Sequence, residues 1–398
     1  MKVLIINLRI GTGSVGRIVS DLYHGSIEAG HQCKVAYARG GIGDLPEIDT
    51  YRICSENEVR IHAGLTRVLG NTAFYFAKTT RRFCEWIKEY DPDIVHIHGV
   101  YGYYLNMKEL FEYLGNSSAR VVSTLHSCWD FTGHCCYFDY VNCDQWMNGC
   151  VNCKQKNSYP ASSFVDNTKR NFLKKKDAYE KLGHCVIVTP SIWLANLVRK
   201  SFLQEKEIKV INNGVDIKAF NPSEKLKSVE LDEQKPIILC VASIWERRKG
   251  WEDVLELSKL LDERYQLVVV GVTEKQASAL GKNAIALKRT NSKAELAALY
   301  AASTVFFNPT YEDNYPTVNL EAIACHTPVV TYQTGGSPEA LNNECWGEII
   351  DFKDYKALVD YTDKVYRKEI KIDFSESSIV SNENMVQNYL NLYIEMTR

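Results

Sequence analysis

Residues 304–332, TVFFNPTYEDNYPTVNLEAIACHTPVVTY, contain one complete strand–helix–strand unit. The β-branched and aromatic run TVFFNP and the later run PVVTY predict two buried strands, and NLEAIACH between them predicts a helix. Pro316 suits the first turn of that helix, because its missing N–H would have no partner there. A helix that joins two consecutive strands is typical of a parallel sheet, so this stretch indicates an α/β fold.

The same alternation of strands and helices runs through both halves of the chain. A polar segment with two prolines, Pro222 and Pro236, separates the halves and predicts a linker. We therefore predict two doubly wound, Rossmann-like domains, over 1–215 and 236–375. In the first half, short β-branched runs predict strands at 3–8, 34–38, 93–98, 120–125 and 186–190.

The last segment, 376–398, has apolar residues at roughly helical spacing and predicts a C-terminal helix. Two interpretations of its place stay open. It caps the second domain, or it crosses back to the first.

Length, charge and hydropathy exclude several classes of protein. The chain has 398 residues, which suggests two domains, and a formal net charge of -2, which predicts no nucleic-acid partner. No apolar run reaches the roughly 18 residues that a membrane span needs. The first residues, MKVLIINLRI, begin as a strand without a leader pattern, so we expect a cytoplasmic protein.

Polar loops follow several predicted strands, at the edge where parallel sheets bind ligands. The loop GTGSVG (11–16) opens a helix, and its glycines let backbone N–H groups approach an anion. The acid expected after the second strand of a dinucleotide site is absent, since Arg39 and two glycines stand there. An anion-binding loop and an ordinary tight turn both stay open. The glycines of the motif are Gly11, Gly13 and Gly16.

The loop SIWERRKG (243–250) carries three consecutive cations at a helix start: Arg247, Arg248 and Lys249. Cations at this end oppose the helix dipole unless an anion is bound. A phosphate or diphosphate would interact with both the cations and the free backbone N–H groups. A solvated basic loop is the alternative.

Three acidic residues, Glu312, Asp313 and Glu321, follow the strand TVFFNP. The first two lie near the predicted helix start, where acids often act as caps. Glu321 lies more than one turn inside the helix, beyond capping reach. Carboxylates accept hydrogen bonds from sugar hydroxyls, as they do from ribose in dinucleotide sites. Together with the cations of the 243–250 loop, these acids predict a nucleotide-sugar site.

Several motifs together resemble those of the retaining family 4 glycosyltransferases, which have the GT-B fold, over nearly the whole chain. The segment from Asp313 to Glu321 resembles the family's E-x7-E motif, and ERRKG resembles its K-G loop. TGGSPE (334–339) resembles the following Gly-Gly loop, and INNGVDIKAFNP (211–222) resembles the signature at the domain junction. DIVHIHG and LHSCWDFTGHCCYF (125–138) are similar to segments of capsular, exopolysaccharide and colanic-acid-type transferases.

The resemblance implies an α/β, GT-B architecture in which two Rossmann-like domains face each other across a cleft. It also implies a donor that is a UDP- or GDP-linked sugar and an acceptor that is a glycan or a polyprenyl-diphosphate-linked sugar. Retention would follow from same-face attack, with the leaving phosphate helping to take the acceptor proton. No catalytic metal is required, because Lys and Arg supply the positive charge.

For the donor sugar, the resemblance assigns roles to the acidic segment. Glu321 would hold the ribose. Asp313, with the backbone of Asn314 and Tyr315, would contact the sugar hydroxyls. Glu312 is adjacent to Asp313, so the identity of the first acid stays open between these two.

For the diphosphate, the resemblance points to Lys249 together with Arg248. The family usually has Gly-Arg before the K-G loop, whereas Ala242 and Ser243 stand here. Ser243 would therefore occupy a donor-binding position, and Arg247 or Arg248 would replace the missing arginine.

On the other domain, the resemblance assigns roles to the first loop and to one histidine. Gly13 and Gly16 would let a donor phosphate or the acceptor approach the backbone. His126, at the end of a predicted strand, would lie beside the reacting sugar. A hydrogen-bonded structural histidine is the alternative.

Six cysteines lie close together, between Cys128 and Cys153, within a predicted insertion at about 128–165. Their spacing includes a C-x2-C pair, which predicts a structural zinc site. Unbound thiols and disulfides are the alternatives, and Cys128 or Cys136 could substitute for one ligand. The four predicted ligands are Cys135, Cys143, Cys150 and Cys153.

The segment 60–82 combines basic and aromatic residues and predicts a helical region. Such a region could rest on anionic lipid, which would suit a lipid-linked acceptor. An ordinary solvated helix face is the alternative.

These observations favour a cytoplasmic retaining hexosyltransferase that uses a nucleotide-diphospho-sugar in surface polysaccharide biosynthesis. A nucleotide-sugar epimerase or a glycan phosphorylase on the same fold is the enzymatic alternative. A non-catalytic, zinc-bearing assembly protein is the third hypothesis.

Overall fold

The computed structural model describes residues 1–223, 229–374 and 381–398. The predicted boundary between residues 375 and 376 therefore lies outside the described residues, as do residues 376–380 of the predicted terminal segment. No helix in the described ranges is both long enough and apolar enough to cross a membrane.

The chain forms two compact units, and the first comprises Met1–Asn212 and Glu383–Arg398. Its strands are β1 (Lys2–Ile6), β2 (Gln32–Tyr37), β3 (Thr50–Arg52), β4 (Ile94–Ile97), β5 (Arg120–Thr124), β6 (Cys185–Thr189) and β7 (Glu207–Val210). They form one sheet in the order β3-β2-β1-β4-β5-β6-β7, and every neighbouring pair is parallel. The strand order changes direction between β1 and β4, which is where doubly wound sheets bind ligands.

Helices of the first unit alternate with its strands. The core residues Val3 to Ile6 of β1 are fully buried, as expected for a parallel strand that is covered on both faces. Between β5 and the next helix, the cysteine-rich segment contains short 3-10 turns rather than longer helices or strands. The helices are α1 (Gly13–Glu28), α2 (Glu56–Leu69), α3 (Ala77–Tyr90), α4 (Met107–Gly115), α5 (Thr168–Lys181) and α6 (Ile192–Val198).

The second unit, Asn213–Asn382, is built on a six-stranded parallel sheet. Its strands are β8 (Ile237–Val241), β9 (Gln266–Val270), β10 (Ala284–Leu287), β11 (Val305–Asn308), β12 (Val329–Tyr332) and β13 (Gly347–Ile350). The order is β10-β9-β8-β11-β12-β13, so the direction changes between β8 and β11. Its helices are α7 (Trp251–Leu260), α8 (Glu274–Ala277), α9 (Lys293–Ala302), α10 (Thr317–Ala324) and α11 (Tyr355–Tyr366).

The last helix, α12 (Asn382–Thr397), packs on the first unit. The hydroxyl of Tyr393 lies 2.5 Å from Nδ1 of His96, and both side chains are buried. Gly25 of α1 gives the helix room to approach, since a Cβ there would lie 2.2 Å from Cγ1 of Val386. The chain therefore completes its first unit with its last residues.

The predicted fold class, two doubly wound parallel sheets, is confirmed. The expected strands of the first half and the expected strand–helix–strand unit at 304–332 are present within one or two residues. The short strands β3 and β13 were not expected. Both lie at a sheet edge, where three or four residues carry too weak a pattern to stand out from loop sequence.

We expect Tyr393→Phe to lower the free energy of unfolding by about 1–3 kcal/mol, because it leaves a buried nitrogen of His96 without its partner. Urea denaturation measures this change. Tyr113→Phe in α4 is the matched control, a half-buried tyrosine of the same unit for which the described residues provide no hydrogen bond to the hydroxyl. Equal stability of the two variants would contradict the expectation.

Candidate active site

In the second unit, the loops that follow β8, β11 and β12 are joined through their backbones. The carbonyl oxygen of Arg248 accepts a hydrogen bond of 2.7 Å from the backbone N–H of Tyr311. The hydroxyl of Thr334 donates to the carbonyl oxygen of Thr310 at 2.6 Å. The cationic, acidic and Gly-Gly loops predicted from the sequence therefore form one cluster at the carboxyl edge of the sheet.

Two glycines make this close packing possible. A Cβ on Gly250 would lie 2.1 Å from the carbonyl oxygen of Pro309, and a Cβ on Gly335 would lie 2.4 Å from that of Asp313. Both glycines also have positive φ angles, 77° and 56°, which side chains other than glycine rarely adopt. The backbone N–H of Gly336 then donates to the same carbonyl oxygen of Asp313 at 2.9 Å.

Asp313 forms an ion pair with Lys249 inside this cluster. Burial alone would raise the pKa of the Asp313 carboxyl, but Lys249 and Arg248 overcome that effect and hold the pKa below its usual value. Arg248 also donates from Nη1 to the backbone oxygen of Glu312 at 2.7 Å. The structure thus brings the predicted diphosphate cations and the predicted acids together.

Glu321 lies on α10 and is nearly buried. The hydroxyl of Tyr300, from α9, lies 3.3 Å from Oε2 of Glu321 and donates to it. Burial, with Glu321 nearby, raises the pKa of the Tyr300 hydroxyl well above its usual value, so it keeps its proton. Sequence reasoning missed Tyr300, because nothing in its own segment links it to an acid on the next helix.

A buried polar network fixes the start of α10, and it was also missed. Asn319 donates from Nδ2 to the carbonyl oxygen of Ser337 at 3.0 Å and accepts from Nδ2 of Asn308 at 2.7 Å. The network ties the helix that carries Glu321 to the end of β11 and to the segment that follows β12. Such buried hydrogen bonds hold a helix, and the side chains that it carries, in one position.

The remaining predicted donor residues lie on the same loops. Glu312 is fully buried, while Ser243 is exposed on the loop after β8. The backbone N–H of Asn314 donates to Oδ1 of Asp313 at 3.0 Å. The carbonyl oxygen of Tyr315 accepts from Nδ2 of Asn213 at 3.2 Å. Asp313, with its cation partner, stays our prediction for the first acid.

In the first unit, the glycine loop follows β1 and leads into α1. Gly13 has a φ of 72° and open space where a Cβ would lie. Gly16 packs close to the loop, because a Cβ there would lie 3.4 Å from the carbonyl oxygen of Arg9. The side chain of Thr12, which precedes α1, makes no capping hydrogen bond. The backbone at this helix start is therefore reachable by an anion.

His126 follows β5 and is half-buried. Its Nε2 lies 3.0 Å from Nδ1 of His98, which follows the neighbouring strand β4. Burial lowers the pKa of His126 to about 4, so the ring is neutral near pH 7. His98 was not predicted as a site residue, although its position two residues after His96 on one strand is a signal that both point to one face.

The four predicted zinc ligands lie in the cysteine-rich segment of the first unit. Cys135 and Cys153 have their sulfur atoms 3.4 Å apart, and Cys150 accepts a hydrogen bond of 3.2 Å from the backbone N–H of Gly133. Among the described residues, no three or more His, Cys, Asp or Glu side chains are grouped so that they could hold a metal ion. A zinc site at Cys135, Cys143, Cys150 and Cys153 stays a prediction.

The hydrophobic core and one buried lysine hold the cysteine-rich segment in place. Trp129, Phe131 and Trp146 are buried in the core of the first unit. The ammonium of Lys175 is buried and donates to the carbonyl oxygens of Trp129, at 2.5 Å, and Thr132, at 2.9 Å. These contacts tie the cysteine-rich segment to α5 and to the core of the first unit.

Comparison with known sequence families agrees with this geometry. Residues 15–219 match the family described as Glycosyltransferase Family 4, and residues 222–379 match Glycosyl transferases group 1. The chain belongs to glycosyltransferase family 4. The first match ends at residue 219 and the second begins at residue 222. This boundary lies close to Asn212, where the longer segment of the first unit of the transferase ends.

Individual relatives of this family 4 glycosyltransferase are distant. It is 24% identical over 420 residues to a protein of Escherichia coli strain K12 named as a colanic acid biosynthesis glycosyl transferase, with 99% of both chains covered. It is 27% identical over 218 residues, or 50% of its chain, to the N,N'-diacetylbacillosaminyl-diphospho-undecaprenol alpha-1,3-N-acetylgalactosaminyltransferase of Campylobacter jejuni, of which 57% is covered. Sucrose-phosphate synthase of Thermosynechococcus elongatus has the same fold, with a TM-score of 0.72, 17% identity and coverage of 99% and 98% of the two chains.

We expect Gly335→Ala to destabilise the protein by more than the roughly 1–2 kcal/mol that a left-handed alanine costs, because its Cβ also collides with Asp313. Gly40→Ala is the control, since Gly40 has a φ of 80° and no atom within 4 Å of a Cβ. Urea denaturation compares the two variants. If both lose the same stability, the backbone contact between the two loops does not matter.

Proposed function

We propose that this glycosyltransferase moves a hexose-type sugar from a UDP- or GDP-linked donor to a glycan or polyprenyl-diphosphate-linked acceptor, with retention, in surface polysaccharide biosynthesis. It would act in the cytoplasm. The names of the Escherichia coli and Campylobacter jejuni relatives support the class of acceptor and the pathway type.

The observation that carries the proposal is the pairing of cations and acids on the loops after β8 and β11. Lys249 and Arg248 contact the acidic loop directly, and Glu321 is held nearly buried on the helix that follows. A bound diphosphate would take hydrogen bonds from the two cations, while Glu321 accepts hydrogen bonds from the ribose hydroxyls. Asp313, with the backbone of Asn314 and Tyr315, would then meet the donor sugar.

In the first unit, His126 would contact the reacting sugar, and the backbone at Gly13 and Gly16 would contact a phosphate or the acceptor. His126 is neutral near pH 7, so it offers a hydrogen bond without adding charge. Ser243, which is exposed, and Glu312, which is fully buried, would lie next to the donor.

The proposed mechanism places negative charge on the leaving diphosphate as the sugar–phosphate bond breaks. Cations that are already in position stabilise that charge without reorganising. The acceptor hydroxyl attacks from the face that the diphosphate leaves, and a phosphate oxygen takes its proton. No catalytic metal is needed for this charge balance.

The first test is ligand-induced stabilisation by UDP-, GDP-, ADP- and TDP-sugars, together with nucleotide release. A ligand at a hundred times its Kd stabilises the folded protein by about 2.7 kcal/mol, which raises the melting temperature by several degrees. We expect one nucleotide class to give this shift and to be hydrolysed slowly in the absence of acceptor.

Two variants separate the parts of the donor site. Glu321→Gln should weaken both the nucleoside and the nucleoside diphosphate about ten-fold, because both carry the ribose. Lys249→Met should weaken the diphosphate by a similar factor and leave the nucleoside unchanged. Glu263→Gln and Lys259→Met, at exposed positions of the same unit, are the matched controls.

The rival hypotheses give different results in this experiment. An epimerase would convert the donor sugar and release no nucleotide. A non-catalytic assembly protein would show no shift with any nucleotide at millimolar concentration, and the donor-site assignment would then be wrong.

For the acceptor side, we propose that the first unit contacts an anionic membrane, over a surface that differs from the predicted 60–82 helix. Phe74, Tyr75 and Phe76 are half-buried in the connection between α2 and α3, so they do not form an exposed stripe. The exposed apolar side chains of the proposed surface come from three separate segments instead. They are Ile61, Val68 and Leu69 of α2, Phe164 and Val165 of the cysteine-rich segment, and Leu173 of α5.

Contacts within the first unit bring these segments together. The backbone N–H of Ser163 donates to the carbonyl oxygen of Arg67 at 2.8 Å, and Asn167 donates from Nδ2 to that of Leu69 at 2.6 Å. Exposed cations accompany the apolar side chains, as anionic lipid binding requires. They are Arg60, Arg67, Lys169 and Arg170.

We expect Phe164→Ser to reduce sedimentation with vesicles of anionic phosphatidylglycerol at least about three-fold, because Phe164 is a large apolar side chain that is 75% exposed on this surface. Ile48→Ser, at an 80% exposed position of the same unit, is the control. Neutral phosphatidylcholine vesicles should bind neither variant. Equal binding of both variants to anionic vesicles would contradict the proposed surface.

A further inference from the structure

Three histidines form a stack at the carboxyl edge of the first sheet. His96 and His98 are two residues apart, so their side chains point to one face of the chain as it leaves β4. Their ring centroids are 3.9 Å apart, and the rings of His98 and His126 are nearly parallel, at 16°, with centroids 5.3 Å apart. The stack therefore leads from inside the sheet to the half-buried His126.

The inner end of the stack is held by hydrogen bonds on both sides. Nδ1 of His96 lies 2.5 Å from the hydroxyl of Tyr393, and Nε2 lies 2.7 Å from Oγ1 of Thr124. Oγ1 of Thr124 in turn lies 3.1 Å from the hydroxyl of Tyr389. Helix α12 thus fixes the ring of His96, against which His98 packs.

Only one ring nitrogen of His98 has a hydrogen-bond partner among the described residues. Its Nδ1 lies 3.0 Å from Nε2 of His126, while its Nε2 is buried and has no partner among the described residues. Burial, with His96 and His126 nearby, lowers the pKa of His98 well below its usual value, so the ring is neutral and carries a single N–H.

The position of that hydrogen follows from the free energy that is lost when an N–H is buried without an acceptor. A buried N–H without an acceptor loses a full hydrogen bond to water, and such groups are rare in folded proteins. The hydrogen of His98 is therefore on Nδ1, and His98 donates to Nε2 of His126. A neutral His126 must then carry its own hydrogen on Nδ1.

We propose that His98 is a positioning residue that fixes His126 in the tautomer with hydrogen on Nδ1. The inference rests on the proposed function for the role of His126 at the reacting sugar. In this tautomer His126 offers an N–H to a sugar oxygen and has no free lone pair to take a proton. This agrees with a mechanism in which the leaving phosphate takes the acceptor proton.

The tautomer is measured directly by nuclear magnetic resonance on protein labelled with 15N-histidine. The chain has nine histidines, and the signals of His126 are those missing from His126→Asn. Two-bond couplings distinguish a protonated Nδ1 from a protonated Nε2. We expect His126 to be protonated on Nδ1 in the wild type and to become a mixture of tautomers in His98→Phe, which keeps a ring but has no donor.

Kinetics then test whether the tautomer matters for transfer. We expect His98→Phe to lower kcat about ten-fold and to change KM for the donor less than about two-fold, because ground-state binding does not depend on this hydrogen bond. His98→Asn places an amide N–H near the position of Nδ1 and should restore kcat to within about three-fold of the wild type. His31→Phe, a half-buried histidine before β2, is the control.

The outcomes separate this inference from the proposed function. A wild-type His126 protonated on Nε2 overturns the inference, and so does a His98→Phe variant with wild-type kcat. If His126 is protonated on Nδ1 but no nucleotide sugar is bound or turned over, the positioning by His98 stands and the proposed function is wrong. If His98→Phe does not fold, His98→Asn must keep the wild-type tautomer, and a changed tautomer there overturns the inference.

Discussion

The ion pair between Lys249 and Asp313 keeps a buried carboxylate charged in the acidic loop that follows β11. Asp313 is buried to a degree that would otherwise favour its neutral form, and the two neighbouring cations keep it charged. A buried carboxylate that loses its partner is strongly destabilising, so neither residue can be replaced alone without cost. The same pair keeps the lysine ammonium fixed where a second anion can reach it.

This pairing depends on backbone contacts more than on the side chains themselves. The acidic loop lies between a loop that ends at Gly250 and a loop that contains Gly335, with no space for a Cβ at either glycine. Parallel strands bring the three loops to one edge, and the glycines then let the backbones touch. The electrostatics of the site are therefore a result of how closely the three chain segments pack.

The sequence indicated candidate site residues where their own segment carries a recognisable pattern. Asp313, Glu321 and Lys249 could be found because each follows a recognisable strand, and the two-domain α/β fold could be predicted from the same alternation. Tyr300 and Asn319 could not be found, because their partners lie on other elements and only folding brings them together. The cysteine spacing predicts a metal centre, and this stays a prediction, while the packing of the segment on buried aromatic side chains and on Lys175 could not be predicted from spacing.

The return of α12 to the first unit affects the order in which the protein can fold during synthesis. Domains usually fold as they leave the ribosome, at roughly 5–20 residues per second. Here the buried His96 meets Tyr393 only after the entire second unit has been made. The first unit therefore lacks its last helix for on the order of ten seconds after its sheet has been synthesised. A chain that is released before Glu383 therefore has an incomplete first unit, even when its second unit has been made in full.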